Sequence, residues 1–390
     1  MSFWSSRYEK DSRPIFMSAS KTKPSKRHPE RGNRALRFVD RYVGIPLAFG
    51  LGLLRRKRGR LPEDDVRTAA FLQTAAIGDT VLSSGIIKDF KKTHPHSHIT
   101  FFTGSSNYEA AGLISGVDTI IKLPIKNPLK ALKLIRRSGT FDIWFDLGPW
   151  PRFNAALSFF ARAKTTVGFQ TEGQYRHYPY DVAIKHSPLK HEIDNYRSLL
   201  KGIGISDAAA LPTLNIDAGP IQKKQIVIHL FPGGSRAYLK EWEESRWVEL
   251  IALFTDKGYT VFLTGAASDR ERASAIKARV PDPDQVFVVA GSLTLRKVAE
   301  LLSSSQLTIS VDTGIMHLAS ALGCNLISLH GPTSPKRWGP LNNNAIHLYG
   351  DRNCSPCINL GFESNCDDPK CMTAISVEEV FAAANRLLHS

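Results

Sequence analysis

Asp312, Thr313, Gly314 and His317 are residues of the right types and spacing for anion chemistry. Residues 307–311 before them are β-branched and mostly apolar, which predicts a strand that stops at Asp312. Ile315, Leu318, Ala319 and Leu322 follow at i, i+3, i+4 and i+7, predicting a helix that Gly323 ends before a second buried strand over 325–330. The first turn of such a helix leaves N–H groups unpaired and electropositive. Asp312 is placed to cap the helix, Gly314 admits a ligand close to the backbone, and His317 faces that ligand. The turn wants an anion, most often a phosphate. A core βα unit with a capping Asp and a buried His accounts for the same residues without a ligand.

A second loop has similar chemistry. Residues 226–230 read as a strand, followed by Gly233, Gly234, Ser235, Arg236 and Lys240 ahead of a helix. The glycines permit positive φ and close backbone approach, Ser235 offers a hydroxyl, and Arg236 and Lys240 bring positive charge. No Gly-Lys-Ser/Thr follows and no G-x-G-x-x-G occurs in the chain, so this is not a Walker or dinucleotide loop. Together with the Asp312 turn it makes two anion-favouring edges on one domain, which fits a nucleoside-diphosphate donor. In the first half of the chain, Gly78, Asp79 and Thr80 lie where a helix follows a strand ending near Gln73. A carboxylate there, within reach of a bound hydroxyl, suits a general base; a plain N-cap is the alternative, and the roles are compatible.

Lesser constellations are weighed beside these. Cys354, Cys357, Cys366 and Cys371 are loosely zinc-like in spacing, but the second pair is not CxxC, so free thiols are favoured and no metal site is expected. His94, His96 and His98 read as a solvated turn. Asp142 and Asp146 share one face of a strand, with Asp146 at its cleft end. Arg152, Arg162 and Lys164 are candidates for an anionic acceptor, against an ordinary basic surface.

The elements that must position these groups alternate from Val66 onward. Strands over 66–73, 98–103, 119–123 and 142–147 interleave with helices over 80–92, 108–114 and 129–138. A linker over 208–224 carries Pro212, Gly219 and Pro220. The alternation then restarts. The expected fold is α/β: two Rossmann-like parallel-sheet domains, at 66–215 and 216–390 with a C-terminal helix, facing a central cleft.

Charge and hydropathy set the N-terminal 65 residues apart. The net charge is +15, yet residues 1–60 hold 16 Lys or Arg against four Asp or Glu, leaving a nearly neutral body. Residues 1–36 lack periodicity and are expected to be disordered. Residues 38–54 are mostly apolar, uncharged from Tyr42 to Leu54, and are followed by Arg55, Arg56, Lys57, Arg58 and Arg60. The uncharged part is too short to cross a bilayer of about 30 Å. It suits either an interfacial segment on the anionic inner leaflet or a helix docked on the first domain. The tail carries no recognised nucleic-acid-binding motif, so nucleic acid is not expected as a partner. Cysteine usage fits a reducing cytosol, and no secretory leader is expected from residues 1–36.

The segments SVDTGIMHLASALG, HGPTSPKRWGPL, TAAIGDTVL and the KEW after the Gly-rich loop resemble glycosyltransferase family 9, the lipopolysaccharide heptosyltransferases and their relatives. The resemblance runs from about Arg67 to the C-terminus and includes the CSPC and CMTAIS segments. It implies a GT-B architecture with the donor on the second domain and the acceptor on the first, and a metal-independent, inverting transfer without a cofactor. By that resemblance Asp79 is the catalytic base and Lys240 neutralises the leaving diphosphate. Asp312, Thr313, Gly314 and His317 match the donor-binding turn. Gly234, Ser235 and Arg236 lie in the phosphate loop, Asp269 stands near a ribose-binding acid, and Gly78, Arg152, Arg162 and Lys164 fall to the acceptor side. The expected reaction moves a heptose from ADP-heptose to a lipopolysaccharide core-type, lipid-linked acceptor, by a cytoplasmic enzyme peripheral on the inner face of the membrane. Alternatives are another nucleotide sugar or acceptor within the family, and a noncatalytic nucleotide-binding scaffold. The basic N-terminal extension departs from the shorter members of the family.

Overall fold

The structure, a computed structural model, describes residues 34–55, 66–234, 236–360, 363–364 and 366–389. The expectation of disorder over 1–36 falls largely outside these residues, as do the basic run after Arg55 and Ser235.

Two six-stranded, all-parallel sheets make up the body. The first contains β1 (Thr68–Gln73), β2 (His98–Thr103), β3 (Thr119–Lys122), β4 (Phe141–Asp146), β5 (Ala163–Gln170) and β6 (Val182–Lys185), ordered β3-β2-β1-β4-β5-β6. The second contains β7 (Gln222–His229), β8 (Thr260–Thr264), β9 (Val286–Val288), β10 (Ser305–Val311), β11 (Leu326–His330) and β12 (Ala345–Tyr349), ordered β12-β11-β10-β7-β8-β9. Each sheet therefore reverses direction beside its own first strand, between β1 and β4 and between β7 and β10. Open α/β sheets hold ligands beyond the carboxyl ends of the strands at such a switch point. Asp79 follows β1, the Gly-rich loop follows β7 and Asp312 follows β10.

The central strands are buried on both faces. Ala69, Ala70, Phe71 and Leu72 of β1 are inaccessible, as are Ile226, Val227 and Ile228 of β7. Apolar side chains on both faces of a strand require a covering layer on each side, which the crossover helices supply. The last helix, Val377–Leu388, packs against β10, β11 and β12 and places Val380, Ala383 and Ala384 in the second core.

Some elements differ from the sequence expectation. The helix expected over 108–114 is a single turn, Tyr108–Ala111, because Gly112 follows at once and Ile114 then bridges to Leu214. Helix Arg152–Phe160 and strands β5, β6 and β12 were not anticipated. Of the two alternatives for the apolar N-terminal segment, the structure has the helix docked on the first domain: α1 (Arg34–Tyr42), which begins inside the stretch expected to be disordered, and α2 (Gly44–Leu54), packed on helix Arg152–Phe160.

Candidate active site

Asp79 lies in the first turn of α3 (Ile77–Thr93), where its carboxylate reaches back to the Ala76 N–H at 3.4 Å. It also accepts a hydrogen bond of 2.8 Å from the Tyr196 hydroxyl. Tyr196 comes from helix Glu192–Lys201, which packs along α3. Burial, followed by the negative charge of Glu192, pushes the Asp79 carboxyl up to about 6, against the pull of the Tyr196 bond. A carboxylate of that basicity takes a proton near neutrality better than an ordinary aspartate does.

Glu192 is fully buried one turn before Tyr196. It meets His186 Nε2 at 3.0 Å and accepts from Arg337 Nη2 at 3.0 Å. Burial opposes its ionisation, but His186 and Arg337 hold the carboxyl below the usual glutamate range. Arg337 belongs to the short helix Pro335–Trp338 that follows β11, so this ion pair joins the two sheet domains. His191 Nε2 lies 3.0 Å from the Gly339 carbonyl oxygen and makes a second crossing.

On the donor side, helix Gly314–Ala321 starts directly after Thr313, whose hydroxyl accepts from the Ile315 N–H at 3.1 Å. Thr313 is thus the cap, which corrects the expectation for Asp312: the helix begins too late for Asp312 to reach its first turn. Asp312 instead accepts from the Thr333 hydroxyl at 2.7 Å and lies 3.6 Å from Lys240 Nζ. The same ammonium donates to the Asp312 carbonyl at 3.0 Å. Burial works against the Asp312 charge, yet Lys240 beside it keeps the carboxyl below its usual range. The lysine after the Gly-rich loop and the turn after β10, 72 residues apart, therefore form one group.

The two halves meet at glycines. A Cβ added to Gly78 would stand 2.7 Å from His317 Cδ2, and one added to Gly314 would stand 2.8 Å from the Ile77 Cβ. Lacking side chains, these residues let the first turns of α3 and of helix Gly314–Ala321 touch across the domains, so their positive ends converge. His317 is buried against this contact, and burial pushes its imidazole down to about 3; it is neutral near pH 7. Gly234 adopts φ +89° with open space where a side chain would stand, which suits close approach by a ligand. Arg236 also lies in the left-handed region, at φ +52°, and donates to the Tyr238 hydroxyl at 3.3 Å.

Several expected site residues are engaged elsewhere. Arg152 is almost inaccessible, bonded to Asp40 at 3.0 Å and to the Gln174 carbonyl at 2.7 Å; it fastens the N-terminal helices and is not open to an acceptor. Arg162 and Lys164 stand at the amino-terminal start of β5, the end of the sheet away from the cleft, and Lys164 pairs there with Asp142 at 2.7 Å. Asp146 is buried in a cluster with Arg176 and Tyr180 and does not face the cleft. Asp269 is buried and accepts from its own turn's Ala266 N–H at 2.8 Å, so its carboxylate is not presented as a ribose contact. His98 opens β2, also at the amino-terminal end, with its ring on Thr119. The four C-terminal cysteines are free thiols lining one cavity of about 120 Å³. Among the described residues, no three His, Cys, Asp or Glu side chains are arranged to hold a metal ion.

Tyr196, Glu192, Arg337 and Thr333 were missed as site residues. The segment HGPTSPKRWGPL carries Thr333 and Arg337, and Glu192 and Tyr196 are spaced i, i+4 on one helix face; those were the available signals.

Comparison with known proteins gives the same architecture. Residues 137–365 match the family model for glycosyltransferase family 9 (heptosyltransferase). Lipooligosaccharide heptosyltransferase 2 of Haemophilus influenzae is 31% identical over 69% of this chain and 84% of its own length. Lipopolysaccharide heptosyltransferase 1 of Pseudomonas aeruginosa is 29% identical over 44% of this chain; that match spans half of the relative's length. The structure of the Escherichia coli ADP-heptose lipopolysaccharide heptosyltransferase II superposes with a TM-score of 0.68 at 20% identity, covering 83% of this chain and 98% of that one.

Proposed function

The chain belongs to glycosyltransferase family 9, and on that premise we propose that it transfers a heptose from ADP-heptose to a lipopolysaccharide core-type acceptor. The acceptor is a lipid-linked saccharide presented at the inner face of the cytoplasmic membrane. Asp79 takes the proton from the attacking acceptor hydroxyl. The oxygen bonds to the anomeric carbon on the face opposite the leaving group, the bond to the diphosphate breaks, and ADP departs with inversion.

The charge that develops on the diphosphate is met without a metal. Lys240 and the N–H groups of the first turn beginning at Gly314 supply fixed positive charge where the leaving group forms. Gly234, Ser235 and Arg236 of the Gly-rich loop supply the remaining donor contacts on this reading, helped by the open space at Gly234. The turn of Asp312, Thr313 and His317 holds the donor side. The observation that carries this reading is the contact at Gly78, where the helix bearing a base of raised proton affinity touches the donor turn at His317.

Calorimetric titration with ADP, UDP, GDP and dTDP, with and without magnesium, tests the donor. Preferential, magnesium-independent binding of ADP is expected. A preference for another nucleotide replaces the donor, and an absolute requirement for magnesium overturns the metal-independent mechanism.

A further inference from the structure

Exposed apolar side chains are concentrated in one short part of the molecule. Of the sixteen large hydrophobic residues exposed among those described, eight lie on α1 and α2 or between them: Phe38, Val39, Tyr42, Val43, Leu47, Phe49, Leu53 and Leu54. Leu53 and Leu54 are 73% and 74% exposed. Exposed apolar side chains gathered in this way mark a place of contact rather than the scattered apolar residues of an ordinary surface.

The opposite side of the same unit is fastened to the first domain. Ala48 and Leu51 are buried, and Gly44 and Gly52 lie so close to Arg152 and Tyr178 that added Cβ atoms would stand 2.9 and 2.5 Å from theirs. Asp40 accepts from Arg152 and from the Phe153 N–H, each at 3.0 Å, and Arg55 Nε donates to Asp181 at 3.0 Å. Positions 44, 48, 51, 52 and 55 thus face the domain, and the stripe at 43, 47 and 54 faces outward. The helices are thus fastened to the first domain with this row of exposed apolar side chains turned away from it.

The charge around this surface selects its occupant. Arg41 is exposed beside it, and in sequence Arg34, Arg37, Arg56, Lys57, Arg58 and Arg60 flank it, while Asp40, the single acid in that stretch, is taken up by Arg152. A second copy of the chain on this face would bring two such cation-rich stretches of sequence together. An anionic lipid surface would instead neutralise them, at about 1 kcal/mol per cation near the surface, while the apolar side chains enter the headgroup boundary. No helix among the described residues is long and apolar enough to cross a membrane. With α2 eleven residues long, about 16 Å at 1.5 Å per residue, the unit lies along the surface.

We propose that the outward face of α1 and α2 is a docking surface for an anionic lipid bilayer, held in a fixed orientation on the first domain. The surface is independent of the transferase reading, because the binding it predicts needs neither donor nor acceptor.

Co-sedimentation of the full-length protein with sucrose-loaded vesicles tests it, using phosphatidylcholine alone and phosphatidylcholine mixed with phosphatidylglycerol. The wild type is expected to bind the anionic vesicles at least tenfold more tightly than the neutral ones, less so as salt rises. The triple variant Leu47→Ser, Leu53→Ser and Leu54→Ser, all at exposed positions, is expected to lose at least tenfold in vesicle affinity with an unchanged Tm and unchanged nucleotide binding. Undiminished binding by the triple variant would overturn the proposal by assigning membrane attraction to the basic tail alone. Absence of binding to anionic vesicles would overturn it outright. So would a wild-type dimer in sedimentation that the triple variant dissociates, since the face would then be a self-interface.

Discussion

Arg337, on the short helix that follows β11, donates to Glu192 of the first domain at 3.0 Å, with both side chains buried. Glu192 in turn raises the proton affinity of Asp79, and Arg337 lowers it. The charge that fastens one domain to the other therefore also acts on the candidate base.

Removing one partner of this buried pair strands the other. Arg337→Ala leaves Glu192 with only His186 and the Asn195 amide and is expected to destabilise the protein by about 3–5 kcal/mol, the usual scale for breaking a buried ion pair. Denaturant unfolding checks this. A loss below about 1 kcal/mol would show that the crossing carries little.

The pH profile follows from Asp79. As a base it works when ionised, so kcat/KM is expected to rise through about pH 6 and level off above it. Tyr196→Phe removes a hydrogen bond that favours the ionised form, and the acid limb is expected to move to higher pH. An acid limb left in place by that variant would separate Tyr196 from the titrating group.

Stability moves the other way. The folded-state value of about 6 lies above the ordinary 3.8, so the unfolded chain releases this proton first. The protonated form's stabilising contribution is full below 3.8 and is lost as pH rises toward 6. At neutral pH the ionised Asp79 costs at most about 3 kcal/mol, from 1.36 kcal/mol per unit. Asp79→Asn is accordingly expected to raise Tm at pH 7.5 and to lose that advantage at pH 4. Thermal scans at the two values check the sign.

Lys240→Ala removes the ammonium beside Asp312. Charge-assisted contacts contribute about 1.5–3 kcal/mol, so nucleotide-diphosphate affinity is expected to fall roughly 10- to 150-fold, with turnover falling as well. Calorimetry and initial rates read the two effects separately.

Much of this was visible in the pattern of residues. Strand 98–103 matches the structure residue for residue, and strands 119–123 and 142–147 come within one residue of it at each end, because period and breaker residues agree there. The βα turns that bring Asp79, Lys240 and Asp312 to the switch points were equally legible. Arg152 was not: its partner Asp40 lies 112 residues away, and only the docking of α2 shows that the guanidinium is spent there. Arg162 and Lys164 were misplaced because β5 was not foreseen, leaving no way to tell its cleft end from its far end. Tyr196, 117 residues from Asp79, depends on helix packing in the same way.

The central claim is that Asp79 is the base of a glycosyl transfer whose donor is held by the other domain. Its most direct test is Asp79→Ala, measured for both donor binding and turnover. Donor affinity within about threefold of wild type with turnover reduced by at least about 10³-fold is the predicted result. Turnover comparable to wild type in that variant would contradict the account.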